Sequence, residues 1–503
     1  MDQAILRRTQ AIESKSPIAG RLWLLLIALL LFRLALAAVV QLVPDEAFYW
    51  TWTRHLAGGF FDHPPMIAYL MWLSTRVLGD TELGVRFFAV VLPFAGVALL
   101  LLTAHRLIPD GRSVKTTAAI LLTSPLLAGL ATIFTPDTPA VFFSICAMVC
   151  VLVIVSDAWD DSIGRHKIAL WMAFGVFCGL ALLSKYTTIL LPAAVFWAML
   201  TSREGRHHLC RPWIYLSGLV ALAVFSPVIL WNYTHDWASF RFQLRHGLES
   251  TPESSWKTFG LFVGGQVLLW TPVLFVLGLV VLISYWRRYN KIGLPMKILL
   301  WSSSLPLVFF GYAATRAKGE INWPDGAYFP LTLLTTAFVC EIPDDLRMRW
   351  ATRGCIIAFA GLTAFHVPWL WARMGVSKAG EVFGWRELGR QLDTLIVDDT
   401  PLFCSRHQDS GEAAFYMSRQ PEVGNLPGGR PTSFDYYPIR PDFASLPKLW
   451  IMGMSNGSVS NFCKQFGLEK KREELVRIDV PVRIRERRLI LLERPAPAIT
   501  SRD

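Results

Sequence analysis

Long apolar runs separated by short polar segments make up most of this chain. A run of eighteen or more apolar residues is long enough to cross a hydrocarbon layer of about 30 Å as a helix. The first run follows basic residues, as in a signal peptide, but its length and the many later runs favour a retained helix. The pattern predicts about eleven transmembrane helices, at 22–43, 84–105, 114–134, 138–156, 168–184, 187–202, 213–231, 258–285, 293–314, 324–340 and 354–372.

The pattern changes after Arg373, where proline, glycine and charged residues become frequent. Short apolar runs such as Leu446–Met454 and Leu489–Leu492 are typical of strands that alternate with one or two helices. We therefore expect two domains. A polytopic α-helical transmembrane domain spans 1–372, and a small C-terminal α/β domain spans 373–503.

Composition supports membrane embedding, since 53% of the residues are hydrophobic and only 17% are charged. The net charge of +11 does not indicate nucleic-acid binding, because Lys and Arg collect on the cytoplasmic loops of membrane proteins. Basic residues are richer on one set of alternate loops, which places the N-terminus in the cytoplasm. An odd number of crossings then places the C-terminal domain on the outer face of the membrane.

The segment after the first predicted helix carries the strongest candidate chemistry. Asp45 and Glu46 stand at the membrane boundary with Tyr49 close behind, and Asp62 and His63 follow before two prolines. Acidic groups at this depth are costly and tend to be functional. A solvated helix cap is the alternative interpretation, since Asp is common at helix starts.

Further polar residues lie at the outer ends of later helices. Asp137 sits in a tight hairpin that proline turn chemistry also explains. Lys185, next to Tyr186, is suited either to snorkelling towards headgroups or to holding a phosphate as a point charge. The other candidates on this side are Arg54, His235, Arg241, Arg245 and Lys318. No apolar run has an acidic residue near its centre, which argues against a transporter.

Several of these segments, taken in order, resemble one known superfamily. Asp45-Glu46-Ala47-Phe48-Tyr49 and Phe61-Asp62-His63-Pro64-Pro65 are similar to the first periplasmic loop of the bacterial aminoarabinose transferase and protein O-mannosyltransferase superfamily. The later matches are Thr135-Pro136-Asp137, Leu183-Ser184-Lys185-Tyr186-Thr187, the stretch from Ser226 to Trp237, Asn322-Trp323-Pro324, and Glu412-Ala413-Ala414-Phe415-Tyr416.

The resemblance implies a GT-C fold and an inverting glycosyltransferase that uses a polyprenyl-phosphate sugar. It implies that Asp45, beside Glu46, is the general base, and that Asp62, His63, Lys185 and Tyr186 bind the donor. His63 stands where aminoarabinose transferases have a lysine, and Phe48 where an arginine often follows the acidic pair. With His63 in place of the lysine, phosphate binding is expected to depend on Lys185. Phe48 in place of the arginine weakens aminoarabinose as the sugar.

Rhizobial galacturonosyltransferases of lipopolysaccharide core or lipid A have a similar length, and an anionic sugar would be bound by an arginine such as Arg54, Arg241 or Arg245. The expected partners are therefore the lipid-linked donor, a glycolipid or lipopolysaccharide acceptor and membrane lipids. No cofactor is required, although Asp62, His63 and His235 could approach a divalent metal. The alternatives are a protein O-mannosyltransferase and, from another class, a lipid flippase or sugar transporter.

Overall fold

The computed structural model describes residues 17–156, 164–248, 256–317, 319–341, 381–437, 442–480 and 483–495. The helices that precede residue 342 are α1 (Pro17–Val39), α2 (Pro44–Trp52), α3 (Met66–Leu78), α4 (Glu82–Leu107), α5 (Ser113–Leu122), α6 (Pro125–Leu130), α7 (Asp137–Val155), α8 (Gly164–Leu182), α9 (Leu190–Leu200), α10 (Arg203–Leu209), α11 (Pro212–Thr234), α12 (Ala238–Leu248), α13 (Trp256–Trp270), α14 (Pro272–Arg287), α15 (Leu294–Arg316) and α16 (Asp325–Cys340).

Several of these helices are long and apolar enough to cross a membrane. Five helices of the described part qualify, namely Gly20–Val39 within α1, and α4, α7, α11 and α15; the bent pair of α13 and α14 makes a sixth if it is one span. The chain is thus a polytopic helical membrane protein, as predicted. The predicted span at 354–372 lies outside the described residues, and the total of eleven stays a prediction.

Two predicted spans are wrong as single straight helices, and in both cases proline gives the reason. The run at 114–134 breaks into α5 and α6 at Ser124, which is extended and precedes Pro125. The run at 258–285 bends by 104° between α13 and α14. Thr271 there has a φ of +66° and precedes Pro272. A residue before proline is disfavoured in the helical conformation, so each helix ends there.

The first outer segment holds two helices, α2 and α3, that the apolar pattern does not predict. Helix α2 begins with Pro44 at its first position, where a missing N–H costs nothing. The backbone N–H of Val43 donates to Oε2 of Glu46 at 3.0 Å and closes the first turn. Only nine residues long and rich in aromatic and acidic side chains, α2 is too short to register as a span.

The C-terminal unit has the predicted α/β character. Its helices are α17 (Trp385–Leu395), α18 (His407–Tyr416) and α19 (Asn456–Phe466), and its strands are β1 (Leu402–Cys404), β2 (Val423–Asn425), β3 (Lys448–Met452), β4 (Glu469–Val480) and β5 (Arg483–Glu493). The sheet order is β2-β1-β3-β5-β4, with β1 parallel to β2 and β3 and with β5 antiparallel to β3 and β4. The predicted boundary at 372/373 lies outside the described residues.

Helix α18 of this unit packs directly on α2. A Cβ at Gly411 would lie 2.6 Å from the backbone nitrogen of Phe48, so only glycine permits this approach. The rings of Phe48 and His407 meet with centroids 4.6 Å apart. One hydrophobic core includes residues of α2, α3 and α4 together with residues of the C-terminal unit. The first outer segment and the C-terminal unit therefore form one assembly.

Candidate active site

Asp45 lies in the first turn of α2, and its side chain is exposed although the rest of that helix is buried. Tyr49 follows one turn later on the same face. Burial raises the pKa of Tyr49 well above its usual value, and the charges of Asp45, Asp62 and Asp137 raise it further. Three carboxyl groups from separate segments are thus gathered around one tyrosine. Asp45 is the exposed member of this group, while Asp62 and Asp137 are buried.

Glu46 points the other way, into the protein, and is completely buried. Its carboxylate accepts hydrogen bonds from Nε of Arg86 at 2.8 Å and from the backbone N–H of Phe134 at 2.8 Å. Arg86 also donates to the carbonyl oxygens of Val40 and Gln41 at the end of α1. These contacts join α2 to the membrane helices, and the catalytic role predicted for Glu46 beside Asp45 stays a prediction.

Asp62 is also buried, and it binds the C-terminal unit. Its carboxylate accepts from Nη2 of Arg430 at 2.5 Å and from the backbone N–H and Oγ of Ser433 at 3.0 and 2.9 Å. Burial raises the pKa of Asp62 more than Arg430 and Ser433 lower it. These contacts tie Asp62 to the C-terminal unit, and the predicted role of Asp62 in donor binding stays a prediction. His63 stays in the site, with its ring 6.1 Å from that of Tyr49.

Lys185 lies between α8 and the 3₁₀ turn Tyr186–Ile189, and its ammonium forms an ion pair with Oδ1 of Asp137. The other oxygen of Asp137 accepts from Nδ2 of Asn322 at 2.8 Å. Tyr186 turns elsewhere, since its hydroxyl meets Oγ of Ser239 on α12 at 2.8 Å. Lys185 and Asp137 are therefore held together, while Tyr186, a predicted donor ligand, ties the turn to α12.

An open cavity lies beside this ion pair, with about 630 Å³ of empty space that includes open solvent. Its walls come from α7, α9, α15 and α16, with apolar side chains such as Ile145, Met148, Leu191 and Phe310. Its polar lining includes Asp137, Lys185 and Asp325. An apolar space that ends in a cation suits a lipid with an anionic head group.

Comparison with known proteins gives the same fold. A model for "Dolichyl-phosphate-mannose-protein mannosyltransferase" matches residues 62–231. The structures of ArnT from Cupriavidus metallidurans, in the apo state and bound to undecaprenyl phosphate, superpose with TM-scores of 0.66 and 0.67. Those matches cover 94% and 93% of this chain and 98% and 97% of ArnT, at 14% and 15% identity. The chain therefore has the same overall fold as ArnT.

Two relatives by sequence are named as sugar transferases. The chain is 24% identical to the lipid A galacturonosyltransferase RgtD of Rhizobium johnstonii over 413 residues, 78% of this chain and 81% of that protein. It is 28% identical over 201 residues to the undecaprenyl phosphate-alpha-4-amino-4-deoxy-L-arabinose arabinosyl transferase of Pseudomonas aeruginosa. That second match covers 37% of this chain and 35% of the relative.

The remaining predicted site residues are spread out. Arg54 donates to the carbonyl oxygens of Pro421 and Gln420, so it holds the C-terminal unit. His235 stacks on Trp231 with ring centroids 4.2 Å apart, and its Nδ1 lies 2.7 Å from the Trp231 carbonyl oxygen. Arg241 and Arg245 are exposed on α12. Lys318 lies outside the described residues.

A metal site receives no support from these positions. Asp62 and His235, two of the three suggested ligands, make the protein contacts given above. Within the described ranges, no group of three or more His, Cys, Asp or Glu side chains is placed to hold a metal ion. The expectation that no cofactor is required stays a prediction, which a chelator tests.

Three residues around the site, Arg86, Arg430 and Asp325, are not among the predicted ones, and Asn322 enters only as part of a motif. Arg86 and Arg430 complete ion pairs with Glu46 and Asp62 that lie 40 and 368 residues away. Asn322 and Asp325 lie three positions apart in the polar turn that leads into α16, and only the turn itself stands out in the sequence. A pattern of residue types gives no signal for partners this far apart. Only the fold brings them together.

Proposed function

We propose that this chain is an inverting glycosyltransferase that moves a sugar from a polyprenyl-phosphate donor to lipid A or lipopolysaccharide core. The observation that carries the proposal is the placement of two groups around Tyr49: the exposed carboxylate of Asp45, and Asp137 with its partner Lys185 beside an apolar cavity. The carboxylate of Asp45 suits a hydroxyl acceptor, and the ammonium of Lys185 suits a lipid phosphate. The named activities of the relatives support both assignments.

The reaction needs a base on one side of the sugar and a cation on the other. Asp45 takes the proton of the acceptor hydroxyl, and the oxygen attacks the anomeric carbon of the donor. The bond between that carbon and the phosphate oxygen breaks, and the polyprenyl phosphate leaves with the electron pair. Lys185 stabilises the charge that develops on the leaving phosphate. Because attack occurs opposite the leaving group, the configuration inverts.

Lys185 must exchange partners for this role. In the structure its ammonium is held by Asp137, whose side chain is also held by Asn322. A bound phosphate accepts a stronger charge-assisted hydrogen bond from Lys185 than Asp137 does, while the hydrogen bond from Asn322 keeps Asp137 in place. The ion pair thus keeps the ammonium at the cavity before the donor arrives, which reduces the cost of ordering a flexible side chain on binding.

We propose galacturonic acid as the sugar, supported by the alignment with RgtD over 78% of this chain. The absence of a lysine at His63 and of an arginine at Phe48 supports this choice over aminoarabinose. Protein O-mannosyl transfer is the second candidate, because the matching family model carries that description. A Ser- or Thr-containing peptide acceptor separates the two: transfer to peptide would favour the second.

We also propose that the site faces the periplasm, in an eleven-helix topology with a cytoplasmic N-terminus. The packing of α18 on α2 supports this topology. Because the two helices touch, an even number of crossings must separate α1 from the C-terminal unit, and the sequence predicts ten. The excess of Lys and Arg on the opposite loops supports the orientation.

Mass spectrometry of envelope lipids tests the proposed reaction. Cells with and without the gene should differ by one sugar on lipid A or lipopolysaccharide core, and the lost mass should be that of a hexuronic acid. An unchanged lipid profile would contradict the proposal, and the loss of a different sugar would correct the donor. Chelator added to the purified enzyme should leave its rate unchanged if no metal takes part.

A further inference from the structure

Asp325 is a carboxyl group inside the cavity that the reaction above does not use. It is the first residue of α16, only 3% of its surface is exposed, and it lines the cavity beside Asp137 and Lys185. Its Oδ1 is buried and has no hydrogen-bond partner in the described part of the chain.

A buried polar atom without a partner needs an explanation, because nearly all such atoms are hydrogen-bonded in folded proteins. The neighbours do not supply one. Lys185 pairs with Asp137, and Asn322 donates to Asp137 as well, so both nearby donors are engaged elsewhere. Much of the surrounding wall is apolar, with Phe310, Phe329 and Pro330 close by. Asp325 lines the cavity, so a ligand bound there would supply the missing hydrogen bond.

The charge of the neighbourhood limits what Asp325 can bind. An anionic phosphate would be drawn to Lys185, and a carboxyl group beside it adds no attraction. A hydroxyl group suits a carboxyl oxygen well, since it donates a hydrogen bond without bringing charge. In a donor lipid, sugar hydroxyls lie within a few bonds of the phosphate, so a phosphate at Lys185 brings them near Asp325.

We propose that Asp325 hydrogen-bonds a hydroxyl group of the donor sugar and selects for sugars that carry a hydroxyl at that position. This proposal rests on the proposed function, because it assumes a sugar-linked polyprenyl phosphate at Lys185. A site that hydrogen-bonds a substrate hydroxyl rejects analogues that lack it, since its own polar group is then left unpaired. Asp325 would thus determine specificity without taking part in bond making.

Binding of two lipids to the full-length purified protein tests the proposal. The ligands are undecaprenyl phosphate and undecaprenyl phosphate-galacturonic acid, and the proteins are wild type, Asp325→Ala, Asp325→Asn and the control Ser144→Ala, which removes another polar group from the same cavity. Asp325→Ala should lower the affinity for the sugar-linked lipid at least tenfold and the affinity for undecaprenyl phosphate less than twofold. Ser144→Ala should change both affinities less than twofold.

Asp325→Asn should fold even where the alanine variant does not, since it keeps the side-chain shape. It should weaken only the sugar-linked lipid, by about threefold or more, because one carboxyl oxygen becomes an amide nitrogen. The assignment of Asp325 to the sugar would be overturned if either variant lost affinity equally for both lipids. It would also be overturned if neither variant lost affinity for the sugar-linked lipid. A wild-type protein that binds neither lipid would contradict the proposed function itself, and this inference with it.

Discussion

Oδ1 of Asp62 lies 2.5 Å from Nη2 of Arg430, a residue 368 positions later in the chain. The pair joins the first outer segment to the C-terminal unit next to Tyr49. Asp62 is buried, whereas about half of the Arg430 side chain is exposed. The C-terminal unit is therefore bonded to the wall of the site rather than attached only through the chain.

Replacing Arg430 should loosen this connection. Arg430→Ala leaves the buried carboxyl of Asp62 without its cation, which should cost about 1–3 kcal/mol of stability and lower the transfer rate. Thermal unfolding in detergent and a transfer assay measure the two effects. Arg419→Ala is the matched control, because Arg419 pairs with the fully exposed Asp399. Equal effects of the two substitutions would show that the Asp62 pair is unimportant.

Glu46 and Asp45 should respond differently to the loss of their charge. Glu46→Gln removes the partner of the buried Arg86, and breaking a buried ion pair costs about 3–5 kcal/mol. Asp45→Asn changes an exposed side chain and should leave the unfolding temperature nearly unchanged. Unfolding curves of both variants at one pH make the comparison. A stable Glu46→Gln protein would contradict the positioning role given to Glu46.

Lys185 should control the affinity for the lipid carrier. Lys185→Met removes the cation beside the cavity and should weaken undecaprenyl phosphate at least tenfold, since a charged hydrogen bond to phosphate is lost. Lys185→Arg keeps the charge and should retain most of the affinity. Lys291→Met, on an exposed lysine far along the chain, is the control. If the methionine variant bound undecaprenyl phosphate like the wild type, the phosphate site would have to lie elsewhere.

Glu412 should make stability depend on pH. Burial raises the pKa of this carboxyl group well above its usual value, and neither oxygen has a hydrogen-bond partner among the described residues. The folded protein then holds this proton more tightly than the unfolded chain does. The contribution of Glu412 to the free energy of unfolding is therefore complete below the pKa of the unfolded chain. It is lost as the pH rises towards the raised pKa of the folded protein.

Glu412→Gln removes this loss of stability at high pH while keeping the shape of the side chain. The variant should unfold at a higher temperature than the wild type at pH 8, with a smaller difference at pH 5. Glu469→Gln, on the exposed edge of the sheet, should show no such trend. A difference that is larger at pH 5 than at pH 8 would contradict the assignment of a raised pKa to Glu412.

The sequence predicts the membrane helices well and the tertiary partners poorly. Apolar length alone reveals α4, α7, α11 and α15, because a bilayer sets that length. Pro44 at the first position and the packing of α18 stabilise the nine-residue helix α2. The contact with α18 cannot be seen in the local sequence pattern. Helices turn about 100° per residue, so the adjacent Asp45 and Glu46 must face different surroundings. Only the fold identifies which one is exposed.

The decisive measurement is sugar transfer by the Asp45→Asn enzyme, with the affinity for undecaprenyl phosphate measured on the same preparation. The donor is undecaprenyl phosphate-galacturonic acid and the acceptor is lipid A, both in detergent. Transfer should fall by a factor of about 10²–10⁴, the usual contribution of a general base, while the affinity changes less than twofold. Full transfer by the variant would contradict Asp45 as the base. A wild-type protein that moves the lipid across liposomes without transferring sugar would replace the transferase with a flippase.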